Sequence, residues 1–139
     1  MKTYGLFILG RMSVSTKPWT DVVIDTRDFT VYRDKYPVTE GHVLFVPREE
    51  NWQSLTKCFE AAYKWGYDWT ERGYCDAFNI GQNIGKAAGQ TVDYPHVHLI
   101  PRRNGDMENP SGGVRHVIPE KGNYKLWPAD AEEVQPEIV

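Results

Sequence analysis

His96-Val97-His98-Leu99-Ile100-Pro101 is the stretch on which the reading of this chain turns. Polar and apolar residues alternate there, as on a strand with one buried face. Side chains two apart on a strand share a face, so both imidazoles project together while Val97 and Leu99 point into a core. Two histidines on one face can be a nucleophile or acid–base pair, a metal site, or two surface residues. The preceding loop decides among these. Gly81-Gln82-Asn83-Ile84-Gly85-Lys86-Ala87-Ala88-Gly89-Gln90 carries glycines at 81, 85 and 89, which permit backbone conformations and ligand approaches that side chains block. Successive N–H groups in such a loop form an anion-binding concavity. Asn83, Gln90 and Thr91 add neutral donors. The arrangement favours a phosphate presented to an imidazole over a plain structural turn.

Working outward, Ala77-Phe78-Asn79-Ile80 reads as the strand that leads into this loop. Leu55, Phe59, Ala62, Tyr63 and Gly66 recur at helical spacing, with Trp69 a turn further on. Asn51 or Ser54 is placed to cap that helix. His42 to Pro47 predicts a buried strand stopped by its proline. Asp21 to Asp25 and Phe29 to Tyr32 are rich in β-branched and aromatic residues, and predict a hairpin around Thr26-Arg27-Asp28. Gly5 to Gly10 is one more apolar run read as a strand. Strands first, with one main helix between strands, predict an α+β domain with a mostly antiparallel sheet of about five strands. Residues 1–124 form that domain, and 125–139 read as an acidic, loosely held tail.

The 139 residues suit one domain with its own core. Apolar residues make up 40%, charged residues 25% and aromatics 13%, which argues against disorder. A net charge of -3 gives no electrostatic case for a nucleic acid polymer as partner. Cys58 and Cys75 form no close pair, so neither a disulfide framework nor a cysteine zinc site is expected. No apolar run is as long as a membrane span, and Met1-Lys2-Thr3-Tyr4 does not open a signal peptide. The expected location is the cytoplasm.

Gly89-Gln90-Thr91-Val92 followed by His96-Val97-His98-Leu99-Ile100-Pro101-Arg102 resembles the signature of the histidine triad (HIT) family. That signature is a glycine-glutamine-threonine/serine-valine run, then three histidines alternating with apolar residues. Asp34 to Pro47 resembles the family's upstream turn and strand, and Gly105 to Arg115 a stretch found in bacterial members. Three ordered segments are far more specific than one. The resemblance implies a HIT-type fold, pairing into a homodimer, that acts on a small-molecule nucleotide substrate. It implies attack by the middle histidine on the α-phosphorus of a nucleotide ester, anhydride or phosphoramidate. A nucleotidyl-histidine forms, and water releases the mononucleotide. By the motif, His96 is the nucleophile and His98 contacts the phosphate. Asn83, Gly89 and Thr91 match phosphate-contacting positions, and Gln90 is grouped with them. Asp34 matches an acidic position near the ribose hydroxyls. Dinucleoside polyphosphates and nucleoside phosphoramidates are the implied substrates. Neutral imidazole is nucleophilic near pH 7, and donors around the phosphate stabilise transition-state charge.

Tyr94 stands where the first triad histidine is expected. Some members bind zinc through a Cys-x-x-Cys, that first histidine, and a histidine after an Ile-Pro-Lys/Arg run. Here Glu49 and Glu50 follow Val46-Pro47-Arg48. The joint absence implies a member without metal or other cofactor, with activity retained because nucleophile, partner and loop are intact. Two rivals remain: a non-catalytic nucleotide-binding regulatory protein on the same scaffold, and a metal site built on His96 and His98. Against the second stands the lack of a carboxylate or cysteine at ligand spacing. His42 is given a structural hydrogen bond and His116 no role. Trp52, Trp65 and Trp69 read as core or dimer-interface residues. Pro95 cannot join a ladder, so the regular strand is predicted to begin near His96, with Tyr94 turned away from the phosphate.

Overall fold

In the computed structural model, which describes residues 16–126, the strands are β1 (Val22–Asp25), β2 (Phe29–Arg33), β3 (Val43–Pro47), β4 (Ala77–Gly81) and β5 (Val97–Arg102). One long helix, α1 (Trp52–Glu71), lies between β3 and β4 in the chain. The sheet order is β1-β2-β3-β5-β4, and each neighbouring pair is antiparallel. The expected α+β architecture, about five antiparallel strands and one main helix, is therefore what the chain forms. The strand expected at Gly5 to Gly10, and all but the first two residues of the expected tail, lie outside the described residues.

The hairpin between β1 and β2 closes through Thr26. Its main-chain N–H and its hydroxyl both donate to the Phe29 carbonyl, at 2.8 and 2.6 Å. β1 is exposed at all four positions, and its register slips between Val22 and Ile24, as at a bulge on a sheet edge. Pro47 ends β3, as expected.

Val31, Val43, Phe45, Val97 and Leu99 form one buried face, which meets Leu55, Cys58 and Ala62 of α1. Burying each such aliphatic side chain contributes about 1.5–3 kcal/mol. The helix starts at Asn51, whose Oδ1 accepts from the Ser54 N–H at 2.8 Å, so Asn51 is the cap. The fully buried residues of α1 are Leu55, Cys58, Ala62 and Gly66, with Phe59 and Trp69 half-buried, so the stripe differs from the predicted one. Cys58 is in it, whereas Tyr63 is 51% exposed beside Tyr67. Gly66 is buried against the Phe78 ring, where a Cβ would come within 2.4 Å. Trp65 and Trp69 pack at the margin of the core, while Trp52 is exposed.

The opposite face of the sheet carries a second cluster. Leu44, Val46 and Tyr94 are buried there, with Trp19, Tyr32 and Val92 packed around them. Leu44 pairs with His98 in the β3–β5 ladder, so this is also the face of the histidines.

The chain divides into two compact units at Asp106/Met107. In the second, described through Leu126, short 3-10 turns run at Gly113–Val117, Pro119–Lys121 and Tyr124–Leu126. The Arg115 guanidinium donates to the carbonyls of Gly122 and Lys121, at 3.2 and 3.0 Å. His116 Nε2–H donates to the Ser111 carbonyl at 2.9 Å. His116 packs so closely on Gly122 that a Cβ there would lie 2.1 Å from its Nδ1. No helix among the described residues is long and apolar enough to cross a membrane.

Candidate active site

Pro95 interrupts the ladder, and β5 begins at Val97. Val97, Leu99 and Pro101 are buried, while His98, Ile100 and Arg102 are half-buried on the other side. His96 stands just ahead of the strand, with its ring centroid 5.2 Å from that of His98. The two imidazoles thus lie side by side, as their spacing predicts.

Tyr94 turns back into the fold. Its hydroxyl donates to the carbonyls of Pro47 and Arg48, at 2.7 and 3.1 Å, and ties the head of β5 to the end of β3. Burial pushes the phenol up to about 12. The main-chain carbonyl of Tyr94 accepts from His96 Nδ1 at 2.8 Å. A carbonyl only accepts, so in the neutral ring the proton is on Nδ1 and the lone pair on Nε2. Trp19 stands edge-on to the same ring, 4.8 Å between centroids.

His98 is held by a relay. The Val38 N–H donates to His42 Nδ1 at 3.1 Å. That bond leaves the His42 proton on Nε2, which lies 2.9 Å from His98 Nδ1. His98 Nδ1 therefore accepts, and its own proton is on Nε2. Adjacent imidazoles so end with opposite character: His96 presents a lone pair, His98 an N–H donor. Burial pulls His98 down to about 4, reinforced by His96 and His42 and opposed by Asp34. Burial also holds His96 below the ordinary imidazole range, against the Tyr94 carbonyl and Asp34. His42 is lowered by burial, again against Asp34. Burial thus favours the neutral form of all three rings.

Asp34, matched by the resemblance to a ribose position, adjoins these histidines. Its Oδ2 is 3.4 Å from His42 Nε2 and 3.9 Å from His98 Nδ1, and its Oδ1 accepts from the Tyr36 N–H at 2.8 Å. The link from His42 to His98 is the part that sequence reading missed. Parity puts His42 on the face of Leu44, but only the β3–β5 register, which pairs Leu44 with His98, brings the two histidines together.

In the glycine-rich loop, Gly85 and Gly89 both adopt φ of 91°, a region costly for other residues, on either side of a turn at Lys86–Ala88. The Gln90 side chain is spent on loop shape. Its Oε1 accepts from the Gly85 N–H at 2.8 Å, and its Nε2 donates to the Val92 and Asp93 carbonyls, both at 3.1 Å. The Gly89 N–H donates to the Lys86 carbonyl at 3.0 Å. Asn83 and Thr91 are exposed, and their side chains bond to no other described residue. Their donors face solvent and can serve a ligand.

The zinc of some family members does not fit this chain. The Tyr94 hydroxyl is committed as a donor to two carbonyls. Glu49 and Glu50 follow Arg48, and the only cysteines are Cys58 and Cys75, both buried. A different set of ligand-type side chains does converge among the described residues: Asp34, His42 and His98, with ligand atoms all within 4.8 Å of one another.

Known proteins match this architecture. A bis(5′-adenosyl)-triphosphatase of Dictyostelium discoideum is 29% identical over 109 residues, covering 72% of this chain and 73% of that protein. An adenosine 5′-monophosphoramidase of Saccharomyces cerevisiae is 32% identical over 89 residues, 59% of this chain and 54% of that one. The crystal structure of a zinc-bound histidine triad family protein from Mycobacterium smegmatis superposes with a TM-score of 0.58 at 29% identity, over 63% of this chain and 69% of that one. The HIT domain profile matches residues 16–105. That match takes in the sheet, the helix, the loop and both adjacent histidines, and the chain belongs to the HIT family.

Proposed function

We propose that the protein is a nucleotide hydrolase or nucleotidyl transferase acting at the α-phosphate of nucleotide conjugates. The substrates are dinucleoside polyphosphates or nucleoside phosphoramidates, as the relatives named for such activities suggest. One observation carries the reading: His96 Nδ1 is bonded to a main-chain carbonyl, which leaves a neutral Nε2 lone pair beside the donor edge of His98.

His96 Nε2 attacks the α-phosphorus, and the bond to the leaving group breaks as the P–N bond forms. The ring gains positive charge, which the Tyr94 carbonyl stabilises through Nδ1–H. His98 Nε2–H, Asn83 and Thr91 donate to the phosphoryl oxygens, where charge develops. Gln90 and Gly89 keep the loop in shape for this, and Asp34 is assigned the ribose hydroxyls. Water then attacks the phosphorus of nucleotidyl-His96, releasing a mononucleotide and the neutral ring. Two easier displacements replace one difficult one. His42 is a positioning residue that sets the tautomer of His98.

The reading includes a homodimer in the cytoplasm, with residues 1–124 as the working domain. Supporting the pairing, β4 lies at the sheet edge among the described residues, and Tyr63 and Tyr67 are half exposed beside Phe78. Light scattering on the purified protein reads the oligomeric state. The main test is incubation with a panel of nucleotide conjugates, following mononucleotide by chromatography and a quenched reaction by mass spectrometry. Turnover with a nucleotidyl adduct on His96 is expected. Binding without turnover on every member of the panel would instead make the protein a nucleotide-binding regulator.

A further inference from the structure

Among the described residues, His96 is hydrogen-bonded through Nδ1 alone, to the Tyr94 carbonyl at 2.8 Å. That bond sets the proton but leaves a hinge, because the second side-chain torsion of histidine is broad rather than locked in a rotamer. A nucleophile that swings loses rate steeply, since a misplacement of about 1 Å can cost on the order of 10²-fold. We propose that Trp19 is the positioning residue that closes this hinge: its indole confines the His96 ring so that Nε2 stays aimed at the phosphorus. The proposal rests on the catalytic reading of His96 and adds how that ring is held.

The ring contacts carry it. Trp19 meets His96 at 4.8 Å between centroids, with 61° between the planes, inside the range of about 4.5–7 Å at which aromatic rings interact. His98 meets the same ring at 5.2 Å, but from the same stretch of chain. Trp19 comes from ahead of β1 and is itself anchored. It packs half-buried on the cluster of Leu44, Val46 and Tyr94. Its ring lies 5.9 Å from that of Tyr32, and stands at 80° to that of Tyr94, 6.4 Å away. Further on, Asp21 is tied twice to Arg33. The Arg33 N–H donates to the Asp21 carbonyl at 2.8 Å, and the guanidinium donates to Oδ1 at 2.9 Å. Tyr94 therefore serves His96 from two directions: its carbonyl holds Nδ1, and its ring backs the indole.

An indole against an imidazole also removes water from it, and burial is the main influence holding His96 low. The titratable groups around the ring are His98 on β5, Asp34 ahead of β3, Tyr94, Tyr32 on β2, and Lys17, whose ammonium lies 4.8 Å over the Tyr94 ring. None of them is replaced in a Trp19 variant.

The test compares Trp19→Ala and Trp19→Phe with the parent, with circular dichroism confirming the fold. Steady-state kinetics use the best substrate of the nucleotide panel across pH, and long-range proton–nitrogen NMR reads the histidine rings. Trp19→Ala should lose about ten- to a hundredfold in kcat with KM within about threefold, and Trp19→Phe should recover to within about fivefold of the parent. The acid limb of kcat/KM reports the free nucleophile. In Trp19→Ala it should move up toward the ordinary imidazole value, because less burial favours the charged ring. In the parent, His96 should show one Nδ1–H tautomer and cross-peaks to an indole that vanish in Trp19→Phe. A loss confined to KM would put the indole on the substrate and overturn the proposal. So would a kcat within about threefold of the parent in Trp19→Ala, or a parent His96 ring with no indole contact. Should the parent turn over nothing, the catalytic reading fails by itself. The tautomer and the cross-peaks then still decide whether Trp19 holds the ring, and the parent and Trp19→Phe supply both even where Trp19→Ala does not fold.

Discussion

At position 94 the side chain and the main chain do different work. The hydroxyl anchors β5 to Pro47 and Arg48, while the carbonyl fixes the proton of His96. Tyr94→Phe removes only the first. Its kcat/KM should stay within about tenfold of the parent, or about 1.4 kcal/mol, and its unfolding free energy should fall by about 1–2 kcal/mol. Steady-state kinetics and urea unfolding measure the two, and a kinetic loss beyond a hundredfold would make the hydroxyl catalytic. His96→Ala should lose several powers of ten in kcat while still folding. Thr91→Ala and Asn83→Ala remove one exposed donor each and should cost about 10²-fold or less. Equal losses in all three would erase the division between nucleophile and supporting donors. The side-by-side placement of His96 and His98 was legible because strand parity is a local property, and Pro95 announced the turn at Tyr94. The bond from His42 to His98 was not, because it depends on the β3–β5 register, which no local pattern encodes. Asp34 meets His42 across the β2–β3 connection, and reaches His98 only through the β3–β5 register.

At the scale of elements, the helix was readable in position but not in its exact face. Cys58 was not counted as apolar, yet it lies in the stripe, and burial pushes its thiol up to about 12. Such a thiol is an inert packing group. Tyr63 fits helical spacing and is half exposed, because its ring runs along the helix to Tyr67. Gly66 marks where α1 passes closest to β4. Gly66→Ala gains about 1 kcal/mol of helix propensity and drives a methyl into the Phe78 ring, an overpacking cost of about 1–3 kcal/mol. Net destabilisation on the order of 1 kcal/mol is expected from urea unfolding, and a more stable variant would show that the contact yields. Within the loop, glycine content pointed to the left-handed turns at Gly85 and Gly89. It did not show that Gln90 would turn its amide inward.

For the molecule as a whole, the neutral histidines set an acid limit. Their folded-state values lie below the ordinary imidazole value, with His98 down to about 4, while the unfolded chain titrates near 6.5. Between those values the unfolded state binds more protons, so stability falls as pH falls from about 6.5 toward 4. Down to about pH 5 most carboxylates remain ionised, and the slope there belongs mainly to the histidines. Urea midpoints at pH 7, 6 and 5 should decline in that order, and a flat series would show that the rings are charged in the folded protein. The same cluster joins residues that are far apart in the chain. His42 and His98 are 56 positions apart, and β5 sits inside the sheet between β3 and β4 although it is the last of the five strands to be made. During synthesis the inner edge of β3 stays open until residues near Arg102 have emerged. Pairing so remote in sequence is slow to form, and an open apolar edge invites association. On refolding, helix signal should return ahead of catalysis, and each gain in turnover then counts molecules in which β5 has reached its place.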